Sequence, residues 1–157
     1  MTTIDGKKFR EALGSFATGV TVIGVNNDQT VHGMTANAVS SVSLDPPLIL
    51  ICVDHRAKTL PMIREAGAFS VNILSKEQEN ISRYFANQPL DQIPEFTFTN
   101  QETEAPILNN ALTALDCKVH QEVEAGDHTI FIGRVQNIII NSGQPLCFFK
   151  GKYTILA

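Results

Sequence analysis

The residues Met34-Thr35-Ala36-Asn37-Ala38-Val39-Ser40-Ser41-Val42-Ser43 form an unbroken run in which small and hydroxylated side chains dominate. Small side chains let a flat ligand come close to backbone N–H and C=O groups, so such a run can cradle a planar ring. It fits equally a strand-to-strand crossover packed with small residues. Lys58 and Thr59 stand at the start of a helical pattern. A helix N-terminus carries unpaired N–H groups and partial positive charge, and a lysine and a hydroxyl placed there suit a phosphate. An ordinary cap beside an exposed lysine reads the same way, although His55 and Arg56 add local positive charge. His128 follows Gly126-Asp127 and leads into TIFIGRV. A histidine at such a strand start serves either as a structural hydrogen-bonder or in function. Lys150-Gly151-Lys152-Tyr153 reads as an exposed turn, and His32 and His120 as surface or edge positions.

Other chemistries lack their residues. The chain has no GxGxxG, no GxxxxGK[ST], no GxSxG and no HExxH, which removes the usual nucleotide folds and hydrolases. Cys52, Cys117 and Cys147 are widely separated within apolar runs, and no CxxC or histidine cluster accompanies them. They read as buried free thiols, and no metal site is expected. The formal net charge of -4 offers no basic field for a nucleic acid. No run approaches the roughly 20 apolar residues of a membrane span, and MTTIDGKKFREALG lacks the apolar stretch of a signal peptide, so the cytoplasm is the expected location.

The elements that must position these residues are mostly strands. Asp5 can cap a first helix with Phe9, Ala12, Leu13 and Phe16 on one apolar face. From Thr18 the period changes to two in TGVTVIGV and VHGMTANAVSSVSL, joined by the polar residues Asn26-Asn27-Asp28-Gln29. LILICVD, after Asp45-Pro46-Pro47, is short and continuously apolar, which predicts a fully buried strand. Thr59 as cap, Pro61 in the first turn and Gly67 at the end predict a second helix, with strand AFSVNIL directly after it. Ser75 and Gln78 form the capping box of a third, ending near Asn87 and Pro89. Residues 87–106 read as a long loop anchored only by Phe96 and Phe98. Two long strands turning at Ala125-Gly126-Asp127 and one or two short ones complete the chain. With 157 residues, one domain spanning 1–157 is expected. Strands outnumber helices and do not alternate with them, so the expected fold is mainly β: a closed antiparallel barrel with a few decorating α-helices.

FREALGSFATGVTVIGV, HGMTANAVSSVSLDPPLILICVD, AKTLPMIREAGAFSVNIL, SRYFA, GDHTIFIGRV and FFKGKY, in that order, give the chain a resemblance to the flavin reductase-like family, the reductase components of two-component flavin monooxygenases. The resemblance implies an FMN-binding split β-barrel that forms a homodimer, with flavin near the subunit interface. It implies that Thr35, Ala36, Asn37, Ala38, Val39, Ser40 and Ser41 contact the isoalloxazine, largely through backbone, and that Cys52, Val53 and Asp54 continue that wall. Lys58 and Thr59 match positions that hold the flavin phosphate, and Arg83, Phe85 and Ala86 match a helix end near the flavin. His128 and Tyr153 match residues near the nicotinamide, which the segment Thr18–Val22 also borders. The implied activity is hydride transfer from NADH, or NADPH, to FMN or FAD, with reduced flavin released to a separate oxygenase through an exit that residues 87–106 gate. Such chemistry belongs to the two rings, so no acid, base or nucleophile constellation is needed. Two rival readings are a flavin-binding electron carrier or oxidase of the same barrel, and a non-enzymatic ligand-binding barrel.

Overall fold

The computed structural model describes residues 3–28 and 30–157. Helix α1 spans Gly6–Gly14, and the Asp5 carboxylate accepts the Lys7 N–H at 3.1 Å. The predicted apolar face forms, but among the described residues nothing covers it: Phe9, Leu13 and Phe16 are 54%, 58% and 79% exposed. Strands β1 (Thr18–Gly19), β2 (Thr21–Asn27), β3 (Thr30–Ala36), β4 (Val39–Leu44) and β5 (Pro47–Asp54) follow. Asn26 and Asn27 therefore belong to β2 and not to the turn, Asp28 turns the chain at φ 43, and Gln29 lies outside the described residues. Helix α2 (Thr59–Ala66) ends at Gly67, whose φ of 65 is the left-handed stop that glycine supplies. Strand β6 is Ala68–Ile73 and helix α3 is Glu79–Phe85, entered through a 3-10 turn at Lys76–Gln78 in which Gln78 Oε1 accepts the Ser75 N–H at 3.0 Å. The short strands β7 (Phe98–Asn100) and β8 (Pro106–Leu108) lead to the long β9 (Thr113–Ala125) and β10 (His128–Ile140), then β11 (Cys147–Phe149) and β12 (Lys152–Thr154).

Seven strands form one antiparallel sheet in the order β3-β2-β6-β9-β10-β5-β4. The two edge strands, β3 and β4, are neighbours in sequence and joined by Asn37-Ala38 alone. So short a link brings the edges of the curled sheet together at one end without pairing them. The result is a mainly β barrel split along the β3/β4 seam, with helices decorating it.

Ile23, Val25, Ile49, Ile51, Val53, Leu60, Ile63, Phe69, Val71, Cys117 and Phe131 fill the barrel, with α2 contributing Leu60 and Ile63. Strand β5 corrects the sequence reading. Ile49, Ile51 and Val53 are buried, whereas Leu48, Leu50, Cys52 and Asp54 alternate with them on a half-buried outer face. The run is continuously apolar because both faces are apolar, yet only one is covered within the chain.

A second layer packs outside β2 and β6. Val20, Val22, Leu74, Ile81, Leu108 and Leu146 form its core, with Phe85, Phe96, Phe98, Phe148 and Tyr153 against it. The predicted loop at 87–106 is more ordered than its composition suggests. Its end pairs as β7 with β8, and Phe96 stacks 5.0 Å from Phe85 and 5.7 Å from Phe98. Buried Asn72 fastens this layer to the barrel, donating to the Val22 carbonyl and Ser70 Oγ and accepting the Leu108 N–H at 2.8 Å. Buried Asp116 accepts from the backbone and hydroxyl of Thr103.

Candidate functional site

The small-residue run folds as two strand ends and a crossover: Met34–Ala36 close β3, Val39–Ser43 belong to β4, and only Asn37 and Ala38 lie between. Both crossover carbonyls are occupied, Asn37 C=O by the Val39 N–H at 3.0 Å and Ala38 C=O by the Cys52 N–H at 3.1 Å. The N–H groups of Asn37 and Ala38 have no acceptor among the described residues. Two unspent donors thus sit where the barrel is split, on exposed residues and open to solvent or to a ligand.

A pocket opens on each side of this crossover, and Asn37 lines both. The wider, about 520 Å³, has Ala38, Val39, Ser40, Leu50 and Cys52 on one side and Phe16 to Gly19 on the other. Cys52 is half-buried rather than buried, and burial pushes its thiol pKa up, so it faces the pocket as a neutral S–H. Thr18 Oγ1, in the same wall, is buried without a hydrogen-bond partner among the described residues. The narrower pocket, about 190 Å³, is lined by Val20, Thr35, Ala36, Asn37, Ala86, Gln88, Phe148 and Tyr153. Thr35 Oγ1 donates to the Ser82 carbonyl at 2.6 Å, so its proton is spent within the protein.

Of the predicted cofactor residues, Thr35, Ala36, Asn37, Ala38, Val39, Ser40, Cys52, Ala86 and Tyr153 line one or other of the two pockets. The other predicted residues lie elsewhere. Val53 is fully buried in the barrel core, so its side chain faces away from any ligand. Ser41, Asp54, Arg83 and Phe85 line neither pocket, and Phe85 packs on Gly33. Thr59 is the first helical residue and not the cap, which is Lys58. Its buried hydroxyl donates to Met34 Sδ at 3.2 Å. Lys58 is exposed and forms no ion pair among the described residues.

The positive charge expected from His55 and Arg56 is already answered. Arg56 binds the Asp54 carboxylate at 2.8 Å and His55 binds Glu124 at 2.9 Å. The Arg56 side-chain hydrogen bond holds the Asp54 carboxyl well below the usual carboxylate range. His128 pairs across the ladder with Asp54, two residues from Cys52, and its Nδ1 lies 2.7 Å from Asp127 Oδ1. That contact lowers the Asp127 pKa and fixes the ring.

Sequence reasoning did not single out Phe16, Leu50, Ile73, Gln88 or Phe148 as lining residues. Ile73 carries no signal that separates a pocket wall from a core. Alternation along β5 was the signal available for Leu50, since it shares a strand face with Cys52.

Residues 13–157 match the family model described as "Flavin reductase like domain". The reductase component of 4-hydroxyphenylacetate 3-monooxygenase from Thermus thermophilus is 39% identical over 146 residues, covering 92% of this chain and 93% of that protein. The solved structure of flavin reductase PheA2 in its native state superposes with a TM-score of 0.93 at 46% identity, covering 98% of this chain and 99% of that one. The Streptomyces globisporus NADH:FAD oxidoreductase SgcE6, solved in complex with NAD and FAD fragments, superposes with a TM-score of 0.89 at 35% identity, covering 100% and 98%.

Proposed function

This chain belongs to the flavin reductase-like domain family, and from that premise we propose that it is an NADH-dependent flavin reductase that reduces FMN or FAD and supplies the product to a separate monooxygenase component. The observation that carries the reading is the split at Asn37-Ala38, with two unpaired backbone donors between a wide and a narrow pocket. The fit to a flavin is chemical as well as spatial. The wide pocket has an apolar wall of Val39, Leu50 and Cys52, and the two N–H groups answer the carbonyl and ring-nitrogen edge of an isoalloxazine. A bound flavin supplies the ring that accepts hydride from the nicotinamide.

The chain's own residues bind, orient and exclude water. The N–H groups of Asn37 and Ala38 donate to the polar ring edge and favour the negative charge that reduction places there. Val39, Leu50 and Cys52 keep that edge dry. Lys58, the unpaired cation at the start of α2, holds the flavin phosphate, with the α2 N-terminus behind it. His128, held by Asp127, and Tyr153 border the nicotinamide. The family match over residues 13–157 supports reading the whole chain as one domain.

The partner reading rests on exposed apolar surface. Phe16, just beyond α1 and 79% exposed, and the outer face of β5 border the wide pocket, and a second copy of the chain would bury them together with the exposed Phe9 and Leu13 of α1. Light scattering that gives the mass of one chain at micromolar concentration would refute the homodimer. Among the described residues no helix is long and apolar enough to cross a membrane. Three unbridged cysteines and an NADH donor suit the cytoplasm. Of the segment 87–106 only Gln88 lines either of the two pockets beside the crossover, so any gating of flavin exit falls to that end of it.

The test of activity is anaerobic addition of NADH to the protein with excess FMN or FAD. Many flavins reduced per protein is the expected result. A single stoichiometric reduction favours an electron carrier, and no reduction with either flavin refutes the enzyme.

A further inference from the structure

Ser82 and Arg83 line neither pocket, yet together they contact most of the polar wall of the narrow one. The Ser82 carbonyl accepts Thr35 Oγ1 at 2.6 Å and the Ala86 N–H at 3.0 Å. Its hydroxyl lies 2.8 Å from the Tyr153 hydroxyl, and Ser82 is fully buried. Arg83 grips Glu79 Oε1 through Nε at 2.9 Å and Nη2 at 2.6 Å, and its Nη1 donates to Gln88 Oε1 at 3.1 Å. The same guanidinium lies 4.8 Å from the centre of the Tyr153 ring.

We propose that Ser82 and Arg83 are positioning residues that clamp Tyr153 and Gln88 around the narrow pocket, making it a subsite for a flat ring bearing a carbonyl. This rests on the flavin reductase reading above. Arg83 occupies the oxygen of the Gln88 amide, so the nitrogen is the end left to donate, and a carbonyl is the group that accepts it. Tyr153 is fixed at its hydroxyl by Ser82 and on its face by the cation, so ligand binding need not freeze the ring. At about 190 Å³ the pocket admits one ring edge at a time. Both the nicotinamide carboxamide and the flavin pyrimidine edge offer the required carbonyl, and kinetics distinguish them. On this reading Arg83 is not a ligand contact: it lines neither pocket, Glu79 and Gln88 take three of its five N–H donors, and Tyr153 covers one face.

The experiment compares wild type with Ser82→Ala, Arg83→Lys, Tyr153→Phe and the Ser82→Ala/Tyr153→Phe double variant in steady-state flavin reduction. Lysine keeps the charge but loses the planar fork, so a merely phosphate-holding Arg83 tolerates it while a clamp does not. We expect Ser82→Ala and Arg83→Lys to raise the KM of one substrate about fivefold or more, the scale of one hydrogen bond, with kcat and the other KM within about twofold. A selective rise for NADH identifies the nicotinamide as occupant, and one for flavin identifies the flavin. The double variant should be no worse than Tyr153→Phe. A second readout needs no catalysis. The chain has no Trp and two Tyr, so in a Tyr84→Phe background the tyrosine fluorescence of the flavin-free protein comes from Tyr153 alone. Adding Ser82→Ala or Arg83→Lys should lower its anisotropy. Unchanged KM values in an active enzyme, equal rises in both, multiplied losses in the double variant, or unchanged anisotropy would each overturn the clamp. A wild type that reduces no flavin overturns the functional reading instead, and anisotropy still judges the clamp. Should Ser82→Ala not fold, Arg83→Lys at its part-exposed position carries both readouts.

Discussion

Gly33→Ala tests how tightly the barrel is tied to the helix that borders the narrow pocket. A Cβ at Gly33 would lie 2.6 Å from both Cδ1 and Cε1 of Phe85 and 3.1 Å from Val22 Cγ1. Phe85 must therefore retreat by about 1 Å to reach ordinary van der Waals separation. It has little room, because Tyr84 and Phe96 each stand 5.0 Å from its ring and Val22 is fully buried. Overpacking of this kind costs roughly 1–3 kcal/mol, which in a domain of this size is a drop in melting temperature of about 2–12 °C. Phe85 ends α3 and Ala86 lines the narrow pocket, so KM should rise in the same variant. Thermal unfolding by circular dichroism and steady-state kinetics read the two effects. Adding Phe85→Leu should recover part of the loss, since a smaller side chain removes the clash. If Gly33→Ala melts with wild type, or if Phe85→Leu adds its full cost to that of Gly33→Ala, the tight tie between β3 and α3 is wrong.

Asn72→Ala should cost roughly 2–4 kcal/mol, because it strands the Leu108 N–H and removes the donor to the Val22 carbonyl and Ser70 Oγ in a dry interior; a urea midpoint equal to wild type would refute that accounting. Burial pushes the Cys117 thiol up to about 12 and raises that of Cys52, so maleimide should label one thiol, Cys52, slowly at neutral pH and faster as pH rises, with bound flavin protecting it. Rapid labelling of several thiols in the folded protein would contradict the burial. Asp54, Glu124 and Asp127 have carboxyl pKa values lowered chiefly by hydrogen bonds from Arg56, the Thr129 hydroxyl and His128. Lowered folded values mean that their contribution is complete above the ordinary carboxylate range, about pH 4, and is lost as pH falls through the lowered values. The melting temperature should therefore hold from neutral to about pH 5 and fall below about pH 4, less steeply in an Asp54→Asn/Glu124→Gln/Asp127→Asn variant, and an unchanged acid slope in that variant would exclude these three. Flavin at about 100 times its Kd should add roughly 2.7 kcal/mol of stability to wild type, seen as a higher melting temperature.

Much was readable from residue order because it depends on local periodicity and capping. Asp5 opens α1, Gly67 closes α2, and the Ala125-Gly126-Asp127 turn joins the two long strands, each through a preference that acts within a few residues. The small-residue run marked the crossover for the same reason. What a neighbour in space contributes could not be read there. His55 and Arg56 look cationic in sequence and are neutralised by Glu124 and Asp54. Thr59 looks like a cap, yet its hydroxyl meets Met34 instead. The run 48–54 looks wholly buried, but the barrel covers only one of its faces. Residue order by itself determined where strands, turns and helix ends fall, since these preferences need no distant partner. Only tertiary closure decided that β3 and β4 stay unpaired, that two backbone donors are left over between them, and that Ser82 and Arg83 meet Tyr153, because each of these depends on residues far apart in the chain.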